Sequence, residues 1–217
     1  MAAVSTKGTT ISISNGSIAK TVLNVTGITA STSAGAATTI TAANTLTAGA
    51  VVVFPSTTGY PALNNKTFVV ASATGTSFTV NADTFNQAGP MTANLTVDAY
   101  PSSSLINLCL SSFDISAGSS NDIDVSTYCA TGTILGKTTP GSITLNGYVD
   151  DTDVGFAELI KAGEDNNPRV IDIKLPGTLG HLVGLVSFSE MSFAVPLEGA
   201  VGFSITASQN KSIKYVK

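Results

Sequence analysis

Charge is the scarcest commodity in this sequence. Lys, Arg, Asp and Glu make up 11% of the 217 residues, against roughly a quarter in an ordinary globular protein. Hydrophobic residues reach 43%, so the chain is not disordered by composition. Solubility falls to hydroxyls, as in β-rich extracellular modules and in subunits that live inside an assembly. The net charge is −4 and the pI about 4.7, which leaves no basic footprint for holding nucleic acid and repels phosphate. Trp is absent and aromatics are 6%, a poor endowment for a sugar-binding cleft. No apolar run approaches the ~20 residues of a membrane helix; the longest, Ala50 to Phe54, is strand-sized. The start, "MAAVSTKGTT", lacks a basic region followed by an apolar core, so no signal peptide is expected. Asn-x-Ser/Thr matches at Asn15, Asn24, Asn65, Asn94 and Asn210 are chance products of so much Ser and Thr. Two cysteines, Cys109 and Cys129, are too few for a disulfide scaffold; in a cytoplasmically made protein they read as a reduced, buried pair.

The residues that carry chemistry are equally thin. His181 is the single histidine, so any Ser-His-Asp triad must use it; flanked by Gly180 and Leu182 at a strand start, it reads as a surface or turn residue. Cys109 and Cys129 lack zinc-ligand spacing. "TGTILGKTT" has three residues between Gly132 and Gly136 where a P-loop has four, and Pro140 forbids the helix that must follow. "DDTDVG" hints at a calcium loop, but counting from Asp151 puts Ala162 where the closing Glu belongs, and helix capping explains these acids better. Nothing positively supports paired carboxylates for glycoside chemistry. The expectation is no catalytic residue, no cofactor and no metal: not an enzyme.

Most of the chain reads as strand. "TTISISNG" alternates and stops at the turn pair Asn15-Gly16, and "KTVLNVTGIT" reads as another strand. From Val25 to Val97 there is one acid, Asp83, and one base, Lys66. Within this window strands are expected near 37–41, 50–54, 66–72 and 77–81, and the charge shift marks the window as separate in origin. "LINLCLSSFDISAGSSNDIDVSTYCA" reads as a long hairpin about Ala117–Asn121. Centred on Ser119, it faces Ile115 with Ile123, Phe113 with Val125 and Cys109 with Cys129 on one apolar side. The other side carries Asp114, Ser116, Asp122, Asp124 and Ser126, and sets Asp114 against Asp124, a like-charge pair that costs stability. "DTDVGFAELIKAG" is the one convincing helix, capped by Asp151 or Asp153, with Phe156, Leu159 and Ile160 as the packing stripe and Gly163 as the stop. The run from Leu182 to Val195 reads as an unusually long strand, and "GAVGFSITASQN" alternates cleanly.

Several pieces in this order resemble the major tail tube protein of long-tailed bacteriophages. They are the "STKGTTISISNG" start, "SSNDIDVSTYCAT", "TPGSITLNGYVDDTDVGFAELIKAG", "PRVIDIKLP", "LVGLVSFSEMSFAV" and "GAVGFSITASQN". The resemblance covers 1–24 and 100–217. It implies a mainly β fold, a β-sandwich or barrel with one flanking α-helix, assembled into hexameric rings that stack into a hollow tube. Long strands of neighbouring subunits would form an inner β-barrel that conducts DNA into the host without binding it specifically. Unusually long strands need partners, and neighbouring subunits can remove exposed edges. The polar strand faces would line the lumen: Asp114, Asp122, Asp124 and Ser126, then Ser204, Thr206 and Ser208. Glu190 is set apart because alternation across 182–195 is blurred. Implied partners are further copies, then tail terminator, tape measure and tip proteins, with no membrane insertion. The implied location is the virion tail, assembled in host cytoplasm.

One stretch departs from that pattern. Residues 25–99 intervene where family members pass directly to the hairpin. Within them "ITAANTLTAGAVVVFPSTTGYPALNNKTFVVASATGTSFTVNAD" resembles a small β-barrel module, related forms of which occur in phage tail proteins and as the first catalytic cysteine half-domain of ubiquitin-activating enzymes. The stretch contains no cysteine, so no such activity is implied. Alternatives on the same pattern are the tube protein of a gene transfer agent or contractile secretion system, or a two-domain β surface-binding module.

Overall fold

The computed structural model describes residues 8–87, 89–116, 118–124 and 133–216, without the side chains of 119–124, 133–139, 211, 212 and 214. The protein is mainly β with one helix. The strands are β1 (Thr10–Ser14), β2 (Thr21–Asn24), β3 (Gly27–Thr29), β4 (Thr38–Thr41), β5 (Val51–Val53), β6 (Thr67–Thr74), β7 (Ser77–Val80), β8 (Thr96–Tyr100), β9 (Leu105–Asn107), β10 (Ser112–Ser116), β11 (Ser119–Asp124), β12 (Thr133–Thr139), β13 (Ser142–Tyr148), β14 (Arg169–Lys174), β15 (His181–Phe188), β16 (Ser192–Ala194) and β17 (Gly202–Val216). The helix α1 (Val154–Asp165) lies between β13 and β14.

The first sheet runs β10-β13-β17-β15-β14-β1-β9, with β16 added beside β17. Period-two alternation divides its residues between two faces. One face buries Ile11, Ile13, Ile143, Leu145, Ile171, Ile173, Val186, Phe188, Phe203, Ile205 and Ala207 against Phe156, Leu159 and Ala162 of α1, with Ile160 partly buried beside them. Phe156 and Phe203 meet at a centroid distance of 5.1 Å. Asp153 caps the helix, accepting from Gly155 N at 3.0 Å. The helix passes through Gly163 and ends at Asn166, whose φ of 52° supplies the left-handed turn. Gly163 is therefore no stop. A Cβ there would lie 2.9 Å from Ser189 O, so the glycine lets the helix approach the end of β15.

The second sheet, β2-β8-β5-β6-β7-β4-β3, draws all its strands from residues 21–100. It curls on itself: β2 and β3 stand at opposite ends of the order, yet only Val25 and Thr26 separate them. Val25 N bonds Leu95 O at 2.9 Å and Thr26 N bonds Thr41 O at 2.8 Å, so two consecutive residues stitch the two ends together. Inside lie Phe54, Phe68, Phe78, Leu63, Ile40 and Val52, with Phe54 and Phe68 edge to face at 5.8 Å. Charge has no part in this core. A hydroxyl cluster, Ser31, Thr38 and Thr84, is buried instead and closes on itself and on Ala82 O at 2.6–3.3 Å.

The two sheets share a third apolar cluster. Val51, Val53 and Val69 of the curled sheet pack with Val170 and Val183 on the first sheet, flanked by Tyr100, Leu105 and Leu185. The last strand bridges both units: Phe203, Ile205 and Ala207 lie in the helix-side core, while Val216, at its far end, is buried in the core of the curled sheet.

Further sequence expectations need correction. The hairpin about Ser119 does not form. β10 pairs with β13 instead, setting Phe113 opposite Leu145, Ile115 opposite Ile143 and Asp114 opposite Thr144. β11 pairs with β12, Ser119 opposite Thr139. The result is one longer ribbon whose inner half belongs to the sheet. This pairing replaces the Asp114–Asp124 opposition with neutral partners, the outcome that like-charge repulsion favours. Second, Leu182–Val195 is not one strand: β15 ends at Phe188 and β16 begins at Ser192. Ser189 bridges the break, its N and Oγ both donating to Thr206 O at 2.8 and 2.7 Å. The long strand is β17. Third, "KTVLNVTGIT" is two strands on opposite ends of the curled sheet. Cys109 is exposed rather than buried; Cys129 and Val125 lie outside the described residues.

Candidate functional site

Where β15 bends away, the first sheet narrows to four strands in the order β10-β13-β17-β16. Their registers line up residues in rows. Ser112 faces Asn146, Asn146 faces Ser204, and Ser204 faces Ser192. Asp114 faces Thr144, which faces Thr206. Ser116 faces Ser142, Ser142 faces Ser208, and Ser208 faces Ser187 of β15. Directly opposed residues point to one side of a sheet, so these rows make one continuous face of hydroxyls and amides with a single carboxylate, Asp114. The intervening rows, Phe113-Leu145-Ile205 and Ile115-Ile143-Ala207, point the other way into the core.

The polar face is half-buried to exposed along its length, and its groups bond mainly to each other. Asn146 Nδ2 donates to Ser112 Oγ at 3.2 Å, Thr144 and Thr206 hydroxyls meet at 3.4 Å, and Asn210 Nδ2 donates to Ser187 Oγ at 2.8 Å. Of the sequence candidates, Asp114, Ser204, Thr206 and Ser208 come together here. Asp122 and Asp124 lie on β11, opposite Leu135 and Thr133, in the ribbon beyond the sheet; their side chains, and Ser126 altogether, lie outside what is described. Glu190 is exposed in the β15–β16 link. Sequence reasoning missed Ser112, Ser142, Thr144, Asn146, Ser187 and Ser192. The signal was available in "SITLNGY", whose alternation mirrors that of "GFSITAS".

The buried charged groups elsewhere are paired. Arg169, only 3% exposed, donates from Nε to Glu158 Oε1 at 3.1 Å, from Nη2 to Asp165 Oδ2 at 2.6 Å and from Nη1 to Asn167 O at 3.1 Å. Glu158, equally buried, also accepts from Gly16 N at 2.7 Å. The network ties the helix to the turn after β1, and the guanidinium fills the space a Cβ on residue 16 would need. Burial pushes the Asp165 carboxyl up, but hydrogen bonds from Arg169 and Asn167 outweigh it and hold the group below the usual carboxylate range. His181 Nδ1 lies 2.8 Å from Asp172 Oδ1; among the described residues no hydroxyl bonds its ring, so the pair lacks a nucleophile. Among the same residues no group of three metal-ligating side chains occurs.

No protein-family model matches the chain, and no curated protein is significantly similar to it. Several solved chains resemble it distantly, two of them from gene transfer agent particles. A chain from the tail of an empty gene transfer agent particle, solved by helical refinement with C6 symmetry, is 14% identical over 50% of this chain and 82% of its own, with a TM-score of 0.41. A chain from the virion of a native gene transfer agent particle is 15% identical over 50% of this chain and 85% of its own, also at 0.41.

Proposed function

We propose that the protein is a structural subunit of a bacteriophage-type tail tube, assembled as hexameric rings that stack around a DNA channel. One observation carries this: a four-stranded segment that is apolar on one face, hydroxyl-lined on the other, and open at both edges. β10 and β16 each have one strand partner among the described residues. An open edge is a liability for a lone domain and an asset for a ring. Copies joined edge to edge would form a closed barrel with the hydroxyl face inward. Such a face suits DNA passage. Hydroxyls are wetted but uncharged, Asp114 repels phosphate, and no Lys or Arg stands on the rows to hold the backbone by counterion release.

In this reading the curled sheet is a module inserted into the tube domain, riding on the outside of the tail. It packs on Val170 of β14 and Val183 of β15, not on the edge strands β10 and β16. Tail terminator, tape measure and tip proteins are the further partners, and the virion the location. Negative-stain microscopy of the purified protein tests the proposal: rings or tubes of tail width are expected, and a monomer that forms neither in any salt overturns it.

A further inference from the structure

Residues 192–200 are exposed without interruption. They present Phe193 at 54%, Val195 at 75% and Leu197 at 106% relative exposure, an apolar arm with no charge between Glu190 and Glu198. The arm leaves the sheet from β16, one of its two open edges. At the other edge lies a groove of about 360 Å³ lined by Thr9, Ile11, Leu108, Leu110, Ser112 and Phe113, again without a charged residue. It sits at the seam where the chain crosses from β9 to β10, the two ends of the sheet order.

We infer that the arm of one copy seats in this groove of the next, closing the ring. The inference rests on the ring proposed above and names what locks it. Four relations on the page favour a second copy as occupant. Arm and groove lie at opposite edges of the same four strands, so head-to-tail repetition brings them together, and a rotation that closes gives a ring. Strand directions alternate across β10, β13, β17 and β16, so the next copy's β16 arrives antiparallel to β10. The faces match as well. Phe193 is opposite Phe203 and shares its side of the sheet, the side on which Phe113 joins the core. Ser192 on the other side would extend the hydroxyl rows. Finally, neither surface has a charge to desolvate. Three apolar side chains fall short of the ~800 Å² per partner that a stable interface buries. The joined strand edges supply the remainder, and each copy in a ring gives one arm and receives one.

A cysteine pair makes the test sharp. Ser111 N bonds Asn146 O at 2.9 Å, so the line of β10 extends to Ser111 beside Gly147, which faces Phe203, which faces Phe193. Within one chain residues 111 and 193 therefore stand about three strand spacings apart, ~14 Å, beyond disulfide reach. Between neighbours they become adjacent. A Ser111→Cys, Phe193→Cys protein that also carries Cys109→Ser and Cys129→Ser, assembled and mildly oxidised, is expected to give a covalent ladder up to the hexamer on a non-reducing gel. Leaving Ser111 in place should abolish the ladder. Separately, Phe193→Ser with Leu197→Ser should lower the yield of rings about tenfold or more while the melting transition of the monomer stays in place. Rings that assemble normally in that double variant, with no ladder from the cysteine pair, overturn the arm-in-groove contact and leave the tube reading standing. A wild-type protein that never assembles overturns both.

Discussion

The two β units of this chain solve the edge problem in opposite ways. The curled sheet joins its first and last strands through Val25 and Thr26 and leaves no terminal strand unstitched. In the first sheet β10 and β16 each have one strand partner among the described residues, with hydrogen-bonding groups of each turned outward. The closed unit takes only Val216 of β17 into its core and shares one apolar cluster with the first sheet. It is held by aromatic packing and a buried hydroxyl cluster, and it carries almost none of the chain's charge. The open unit keeps its ion network around Arg169 for internal bracing and spends its remaining surface on repeated polar rows and an apolar arm. On the proposed reading, closure marks a module that can be carried, and openness marks one that is completed by its neighbours.

The strongest way to break the comparison is to remove the closed unit. Thr21 pairs with Ala99, so the chain enters and leaves it on adjacent strands. Residues 21–99 can be replaced by a short Gly-Ser link, with Val170→Thr and Val183→Thr to wet the surface uncovered. The shortened protein is expected to fold and still form tubes, thinner on the outside by microscopy. Loss of tubes with a folded monomer would make the curled sheet part of the assembly interface.

The open unit is tested at its brace. Arg169→Leu leaves Glu158 buried without its cation, a loss of about 3–5 kcal/mol for a broken buried pair, read by denaturant unfolding. The pH dependence has a definite sign. Asp165 titrates below its ordinary 3.8 in the folded protein. Its contribution is therefore complete above that value and lost as pH falls through the lowered one. Asp165 is 36% exposed on its side chain, so solvent screening keeps this share small. The gap between wild type and variant should narrow below pH 3.8 and stay level above it.

A smaller effect is expected inside the closed unit. Thr67 is fully buried and its Oγ1 has no hydrogen-bond partner among the described residues. An unsatisfied buried hydroxyl costs about 1–3 kcal/mol, part of which Thr67→Val should recover as a higher melting temperature. A fall in stability instead would mean that the hydroxyl finds a partner in solution.

Much of this was legible in the chain. The helix with its Phe156 and Leu159 stripe, the alternation of β17 and the strands β4, β5, β6 and β7 of the curled sheet follow from local periodicity and turn residues. What was not legible is pairing. "SFDIS" alternates equally well against "NDIDV" and against "SITLN", and only the packing of Phe113 and Ile115 opposite Leu145 and Ile143 decides between them. That choice governs the candidate site. It brings Asp114 into one row with Thr144 and Thr206 and sends Asp122 and Asp124 out along the ribbon. The other half of the polar face, on β13, was missed because its residues are unremarkable Ser, Thr and Asn that gain meaning only as rows.

The smallest expected structural effect belongs to the residue most exposed to the proposed channel. Asp114 is exposed and opposes Thr144, with no ion pair among the described residues. Asp114→Lys should change stability by no more than about 0.5 kcal/mol, the usual range for a surface site, and rings should form as before. Its consequence would lie in the lumen. In the proposed ring the rows would repeat around the axis, so one substitution per chain would place a collar of lysines at every level of the tube, where Asp114 would set a collar of repulsion. Each lysine can displace counterions from passing phosphates, and the drag grows as salt falls. Assembled tubes of the variant should retain short duplex DNA in a salt-dependent way, while wild-type tubes pass it freely. Equal behaviour of the two at low salt would place Asp114 outside the channel and turn the hydroxyl face elsewhere.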